Sequence, residues 1–413
     1  MNKSTFTIFA VILSTLMASV SFAGIDLLGS VATDGETYNI ESFGSVAVIS
    51  DGQYGAKVLD VANPLDPVIA SSISTPGTAE GIVYLSPYLS VANGEEGFSI
   101  IDAADPYNAQ LVSTTASPGY AYDITYGCGY IAIAAGTDGL HFFEAFNVEN
   151  PVYANTFDTP TPITGVSGPC GTIFLTAGEY GTFFATGGVI DTLQIVGGFD
   201  TDGSARSSYA YQGYLYVADS TAGVQIIDFS DPANQTLHTT LPTAGAAMDV
   251  IVDWQYIIVA AGEAGLLIYD NLDPENPYLL DSFDTPGFAY SVNVWNGVIY
   301  VADGNSVMVF QYTPDQTFIG QCVHSPTQFN INQNYPNPFN ASTNIKFSID
   351  QPQTINLTIY NITGQVVETL ANRHYDVGDY SVNWNAGDVP SGVYFAKMTS
   401  LLGTQTVKLS LLK

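Results

Sequence analysis

The chain repeats itself every 42 residues, and that period constrains its fold more than any other feature. One column of the repeat reads Gly52, Gly94, Gly136, Gly178, Ser220, Gly262 and Gly304, with no insertion between successive members. A second column, three residues on, reads Gly55, Gly97, Gly139, Gly181, Gly223 and Gly265, and fails only at Val307. A third carries Thr-Pro-Gly turns at Gly77 and Gly287 and Ser-Pro-Gly at Gly119, with Thr161, Gly203 and Gly245 in the same register. A period of this length means a solenoid, a propeller or an array.

The content of one unit decides between them. Ile257 to Ala260, Leu266 to Asp270, Tyr278 to Ser282 and Ala289 to Val294 are short β-branched or aromatic runs bounded by Gly, Pro and Asp, and each is too short for a helix. Four antiparallel strands in about 42 residues make one propeller blade. We call the strand after Thr-Pro-Gly A, and the following three B, C and D. Sets A, B and C occur seven times, but D follows its own C strand only six times. The missing D strand is at the other end of the chain, at Ile25 to Thr33. The expected fold is all-β: a seven-bladed β-propeller over residues 24–313, closed by an N-terminal strand that leaves no open sheet edge. The fourth unit lacks the Asp that ends strand C elsewhere, carrying Thr186 instead, and should form an intact but irregular blade.

Residues 1–23 read as a secretory signal, with an apolar run from Phe6 to Val20 and cleavage after Ala23. No apolar stretch reaches the length of a membrane span, so no transmembrane anchor is expected. Residues 314–328 read as a linker, and 329–413 as a second domain of short strands, a small Ig-like β-sandwich. Charge divides the two domains: Gly24 to Asp315 holds 34 acidic residues against Lys57 and Arg206, whereas Phe329 to Lys413 holds five of each sign. So acidic a surface repels nucleic acid and anionic membranes and attracts cations. Of three cysteines, Cys128 and Cys170 lie 42 residues apart at equivalent A–B turns. A disulfide between them and three free thiols both remain open.

No nucleophile elbow, zinc motif, phosphate loop or dinucleotide fingerprint is present, and no two of the four histidines stand at ligand spacing. The candidate site is where the A strands begin, because D–A and B–C loops share one face of a propeller. One column there reads Asn39, Gly81, Asp123, Gly165, Ser207, Asp249 and Ser291; the column before it reads Tyr38, Glu80, Tyr122, Thr164, Arg206, Met248 and Tyr290. Polar concave mouths with a few aromatics bind ligands. Small residues that relieve crowding at the axis, aspartates that bond backbone N–H groups and an Arg206 paired with a neighbouring acid would explain the same columns structurally. Asp123 and Asp249 are also the candidates for general acid and base in a hydrolase or lyase. No cofactor is called for. Asp200 and Asp202 stand at alternate positions before Gly203, as at the start of a calcium loop, and the segment equally fills the Thr-Pro-Gly register. Calcium there would suit a structural or adhesion protein.

Two resemblances follow from named motifs. Gly97-Phe98-Ser99-Ile100-Ile101-Asp102 and Gly223-Val224-Gln225-Ile226-Ile227-Asp228 resemble the LVIVD repeat of secreted bacterial propellers, a family that implies the fold and extracellular placement but no activity. The segment Gln333 to Asn340, the segment Ile359 to Gln365, Pro390 to Tyr394 and the closing Lys408 to Lys413 resemble the type A sorting domain of cargo of the type IX secretion system. That resemblance implies passage through the periplasm, transfer across the outer membrane of a Gram-negative bacterium on this domain, removal of it by a sortase-like protease, and placement at the cell surface or outside. The expected function is an exported propeller that binds a polymer, glycan or protein partner on its loop face.

Overall fold

A computed structural model describes residues 24–314, except 188–191 and 275, and residues 329–412 except 332–333, 335, 338, 350–352, 362–365, 376–377, 388 and 401–402. The signal segment with its cleavage point after Ala23 and the linker from 315 with Cys322 lie outside the described residues. The chain divides into two compact units, Met1–Asp315 and Gln316–Lys413.

In the first unit each of the first six repeats forms a four-stranded antiparallel sheet in the order A-B-C-D. The sixth consists of Asp249–Asp253, Tyr256–Ala260, Leu266–Asp270 and Tyr278–Phe283. The A strands contact one another in succession, and that of the first repeat also meets that of the last, so the sheets stand in a ring. Strand B and C residues such as Val48, Val58, Leu89 and Ile101 are fully buried in clusters shared by adjacent sheets. Alternation along each strand therefore buries both sheet faces near the axis and leaves strand D polar and half-exposed.

The last sheet is assembled from both ends of the unit. Ala289–Trp295 pairs with the first part of Val298–Thr313, and Gly24–Thr37 pairs antiparallel with the rest, from Gly24 opposite Thr313 to Ala32 opposite Ser306. The N-terminal strand also touches its neighbour as other D strands do. A Cβ on Gly29 would lie 2.6 Å from the Pro64 carbonyl, Ser71 Oγ donates to the Pro106 carbonyl, and a Cβ on Gly197 would press on the Pro232 carbonyl. All three contacts join positions 35 residues apart, so Gly24–Thr37 occupies the repeat's own register. Ile25, Leu28 and Val31 pack on the cores beneath, but Leu27 is 44% exposed, because a register shift between Leu27 and Gly29 turns it outward.

The fourth repeat keeps all four strands. Its irregularity is a register shift between Ser167 and Cys170 in the A–B pair, a pair that is unbroken in the other five four-stranded sheets.

The second unit is a sandwich of two antiparallel sheets, one of Phe329–Ile331, Ser342–Ile349 and Gly378–Asn385, the other of Val366–Tyr375, Gln353–Asn361, Gly392–Ser400 and Gly403–Leu411. Trp384, Phe347 and Met398 fill the space between them. The first and last motifs of the domain are neighbours. Asn337 accepts the Ser410 N–H and donates to the Lys408 carbonyl, while Phe339 bridges in parallel to Leu411.

Deleting the N-terminal strand should therefore cost far more than ordinary end-trimming. It removes a ladder of hydrogen bonds at about 1 kcal/mol each and uncovers the edge of Val298–Thr313. A chain beginning at Gly35 is expected to aggregate, or to melt on the order of 10 °C lower than one beginning at Gly24. Equal melting temperatures in a thermal scan would show that the ring closes without this strand.

Candidate ligand-binding mouth

The A strands start around one opening of the ring, and the residues at their starts border a single cup of about 390 Å³. Asn39, Gly81, Asp123, Gly165, Ser207, Asp249 and Ser291 all line it, together with Tyr38, Glu80, Tyr122, Thr164, Arg206, Met248 and Tyr290. The repeat builds this opening through one recurring contact. The B–C loop glycine bridges to a small or aliphatic residue two places before each A-strand start, as in Gly94 to Ala121 and Gly262 to Ala289. Gly94 has φ +58°, and a Cβ there would be 2.9 Å from the Tyr120 ring. Only glycine combines that backbone with an aromatic lid.

Sequence reasoning missed a further column. Glu36, Tyr120 and Phe288 stand two residues before Tyr38, Tyr122 and Tyr290 and cover them. Tyr120 packs on Tyr122 with ring centres 4.6 Å apart, Phe288 on Tyr290 at 4.7 Å, and Tyr38 meets Tyr290 edge-on at 5.3 Å. The available signal was the doubled aromatic, Tyr-x-Tyr at 120–122 and Phe-x-Tyr at 288–290.

The carboxylates of the inner strands are engaged across the gaps between sheets. Asp123 accepts the N–H of Ile124 on Oδ1 and, on Oδ2, that of Val166 in the next sheet, both at 2.9 Å. Asp249 accepts from Ser207 and Val250 on one oxygen and from Ser291 and Val292 on the other. Two residues further along the strand, Glu41 takes the Tyr84 N–H at 2.7 Å, and Asn293 takes the Ser42 N–H and hydroxyl, joining the last repeat to the first. Burial raises Asp123 to about 6 against its hydrogen bonds, and Asp249 upward likewise. Glu41 is raised to about 7, first by burial and then by the Asp123 charge, against the Tyr84 bond. Asp123 and Asp249 thus accept backbone N–H groups, one of the uses their column left open.

Charge around the mouth is uneven. Tyr290, Tyr38, Glu80 and Tyr122 come from the last and first three repeats, whereas Thr164, Arg206 and Met248 come from the fourth to sixth. Glu80, raised by burial, accepts the Tyr120 hydroxyl on Oε1 at 2.5 Å, and Tyr38 donates to Glu36 at 2.6 Å. Lys57 is buried and paired with Asp34 and Asp51. The expected acid partner for Arg206 is not there: among the described residues its guanidinium meets no carboxylate within ion-pair distance, and the side chain is exposed.

Asp200 and Asp202 flank a turn that Asp219 holds, accepting from the Thr201 hydroxyl and the Gly203 N–H, both at 2.7 Å. Asp303 makes the same clasp on Thr285 and Gly287. Among the described residues no three His, Cys, Asp or Glu side chains are grouped as metal ligands. Cys128 is in a disulfide, and the Cys170 side chain lies outside the described residues.

Residues 202–243 and 244–285 match the LVIVD repeat, and residues 333–411 match the secretion system C-terminal sorting domain. No curated protein matches the chain. Among solved structures, the fold is similar to the WD40 β-propeller domain of Doa1 at 10% identity and TM-score 0.58, over 72% of this chain and 99% of that one. It is similar to U3-55K at 10% identity and TM-score 0.56, over 70% and 98%. The designed Ika8 protein aligns at 7% identity and TM-score 0.51, over 67% and 83%. At such identities the likeness is one of fold alone. The chain therefore carries LVIVD repeats in a propeller and a secretion-system sorting domain.

The inner-strand acids give a pH signature of defined sign. An acid whose pKa is higher in the folded chain holds more protons there than in the unfolded chain between the two values, so stability falls as pH rises through that window. The windows run from 4.5 to about 7 for Glu41 and from 3.8 to about 6 for Asp123. Glu41→Gln keeps the one acceptor in use and removes the titration, whereas Asp123→Asn removes the titration and keeps one of two acceptors, which lowers stability without adding a pH dependence. Each is expected to flatten the decline in urea-unfolding free energy between about pH 5 and about pH 7 by on the order of 1 kcal/mol or more. An unchanged slope in both variants would refute the assignment.

Proposed function

We propose that this chain is an exported seven-bladed propeller, held closed by its N-terminal strand, that reaches the cell surface or the medium through the type IX secretion system. There it binds an extracellular partner in the mouth of the ring. Residues 1–23 direct entry to the periplasm, and 329–413 direct outer-membrane transfer. The observation that carries the binding role is the convergence of both A-strand columns on one cup. The glycine and turn columns that set the repeat are nearly constant from unit to unit, whereas these positions range over Tyr, Glu, Thr, Arg and Met. Polar, charged and aromatic side chains of different types gathered around one concave opening are what recognition uses. A wall whose buried carboxylates are already engaged favours binding over turnover.

Export and binding are tested separately. Deleting Phe329 to Lys413 is expected to leave a folded propeller in the periplasm, since compact units of this kind fold independently. Surface display of the truncated chain, read by labelling of intact cells, would sink the sorting role. For binding, the purified propeller is screened against polysaccharides, peptides and small ions. Tyr122→Ala is expected to weaken the hit at least tenfold, while Tyr54→Ala, an exposed tyrosine outside the cup, leaves it unchanged. Equal effects would place the contact elsewhere.

A further inference from the structure

The cup is dipolar. On one side Glu80 has Oε2 free of the Tyr120 bond and shares the wall with Tyr38, Tyr122 and Tyr290, a setting that favours an ammonium group through both charge and ring faces. Three repeats away, Arg206 lines the same cavity next to Met248, and among the described residues its guanidinium meets no carboxylate. The two remaining carboxylates of the wall, Asp123 and Asp249, already accept hydrogen bonds on both oxygens and offer a ligand little. A propeller with 34 acids and two bases repels anions at long range and draws in cations. Since Lys57 is buried in its own ion pairs, Arg206 is the one exposed Lys or Arg of the ring, and the acidic surroundings favour an anion that arrives attached to a cation.

Resting on the mouth being a binding site, we infer that it selects a ligand with an ammonium group at one end and a carboxylate at the other, separated by a short aliphatic chain, as in lysine at a peptide C-terminus. The ammonium lies against Glu80 and the tyrosines, the methylenes cross the cup beside Met248, and the carboxylate pairs with Arg206. Length agrees: a cavity of 390 Å³ is roughly 9 Å across, of the order of an extended six-carbon ω-amino acid. The two ends of a simple α-amino acid are too close together to reach both walls.

The test is titration calorimetry of the whole exported chain with 6-aminohexanoate, hexylamine and hexanoate. The first is expected to bind at least tenfold more tightly than either of the others. Arg206→Gln should abolish that advantage over hexylamine while leaving hexylamine itself unchanged. Glu80→Gln, which keeps an acceptor for Tyr120, should weaken both amines at least tenfold. Arg206 is exposed, so its variant is expected to melt with the parent, and the melting curve checks this. Equal affinity for all three probes, or indifference of 6-aminohexanoate to both substitutions, would overturn the inference. A neutral glycan that binds in a Tyr122-dependent way while both charge variants are silent would overturn it and leave the mouth as the binding site. If nothing in the panel responds to any cup substitution, both readings fall.

Discussion

Each inner strand of the ring has an edge with no partner strand, and the molecule depends on how that edge is satisfied. Backbone N–H groups that face neither water nor a ladder must find acceptors. The chain supplies them as side chains: Glu41 for Tyr84, Asp123 for Val166, Asp249 for Val292 and Asn293 for Ser42. Each acceptor serves the residue 43 positions on, counted around the ring in the last case, so the same bond that satisfies an edge also fixes the angle between sheets. The carboxylates are held despite the desolvation that raises their pKa values. The smooth cup above them is a by-product of that arrangement.

Other acids follow the same economy. Asp60, Asp102, Asp228 and Asp270 each accept the N–H two residues ahead and turn the chain out of strand C. Asp219 and Asp303 hold the turn before strand A, and Asp51 takes the Gly35 N–H and Thr37 hydroxyl in the same place. Much of the acidity is therefore hydrogen-bonding chemistry written once per repeat. What the wall of the mouth adds is the one exposed base.

Strand positions were legible because a fixed period lets each unit check the others, and the cup was legible because the A-strand starts had to converge. Less visible was a register shift in the C–D pair of all six four-stranded sheets, as between Val58 and Leu59 or Ile268 and Tyr269. The strand D residues it leaves over, Ala70, Val112, Ala154, Val196, His238 and Leu280, share a column but no single residue that would mark it. A bulge is set by the twist of the outer pair rather than by a side chain, so composition leaves no mark of it. Leu27 faces outward for a related reason, since a shift of one residue exchanges the faces of a strand. The bonds between sheets were out of reach because donor and acceptor lie in different units, and nothing within one unit announces them.

The strand Gly24–Thr37 has a consequence in time as well as in space. It is the first strand of the unit to be synthesised, yet its partner, Ser306 to Thr313, comes at the other end of the unit. Until that partner emerges, six complete sheets can form while the first-made strand waits unpaired. Its pairing spans nearly the whole unit and closes the largest loop in it, the kind of contact that forms late. Until that last partner is in place the propeller can be no more than an open arc, and the end of the repeat array, immediately before the sorting unit, is what lets it shut.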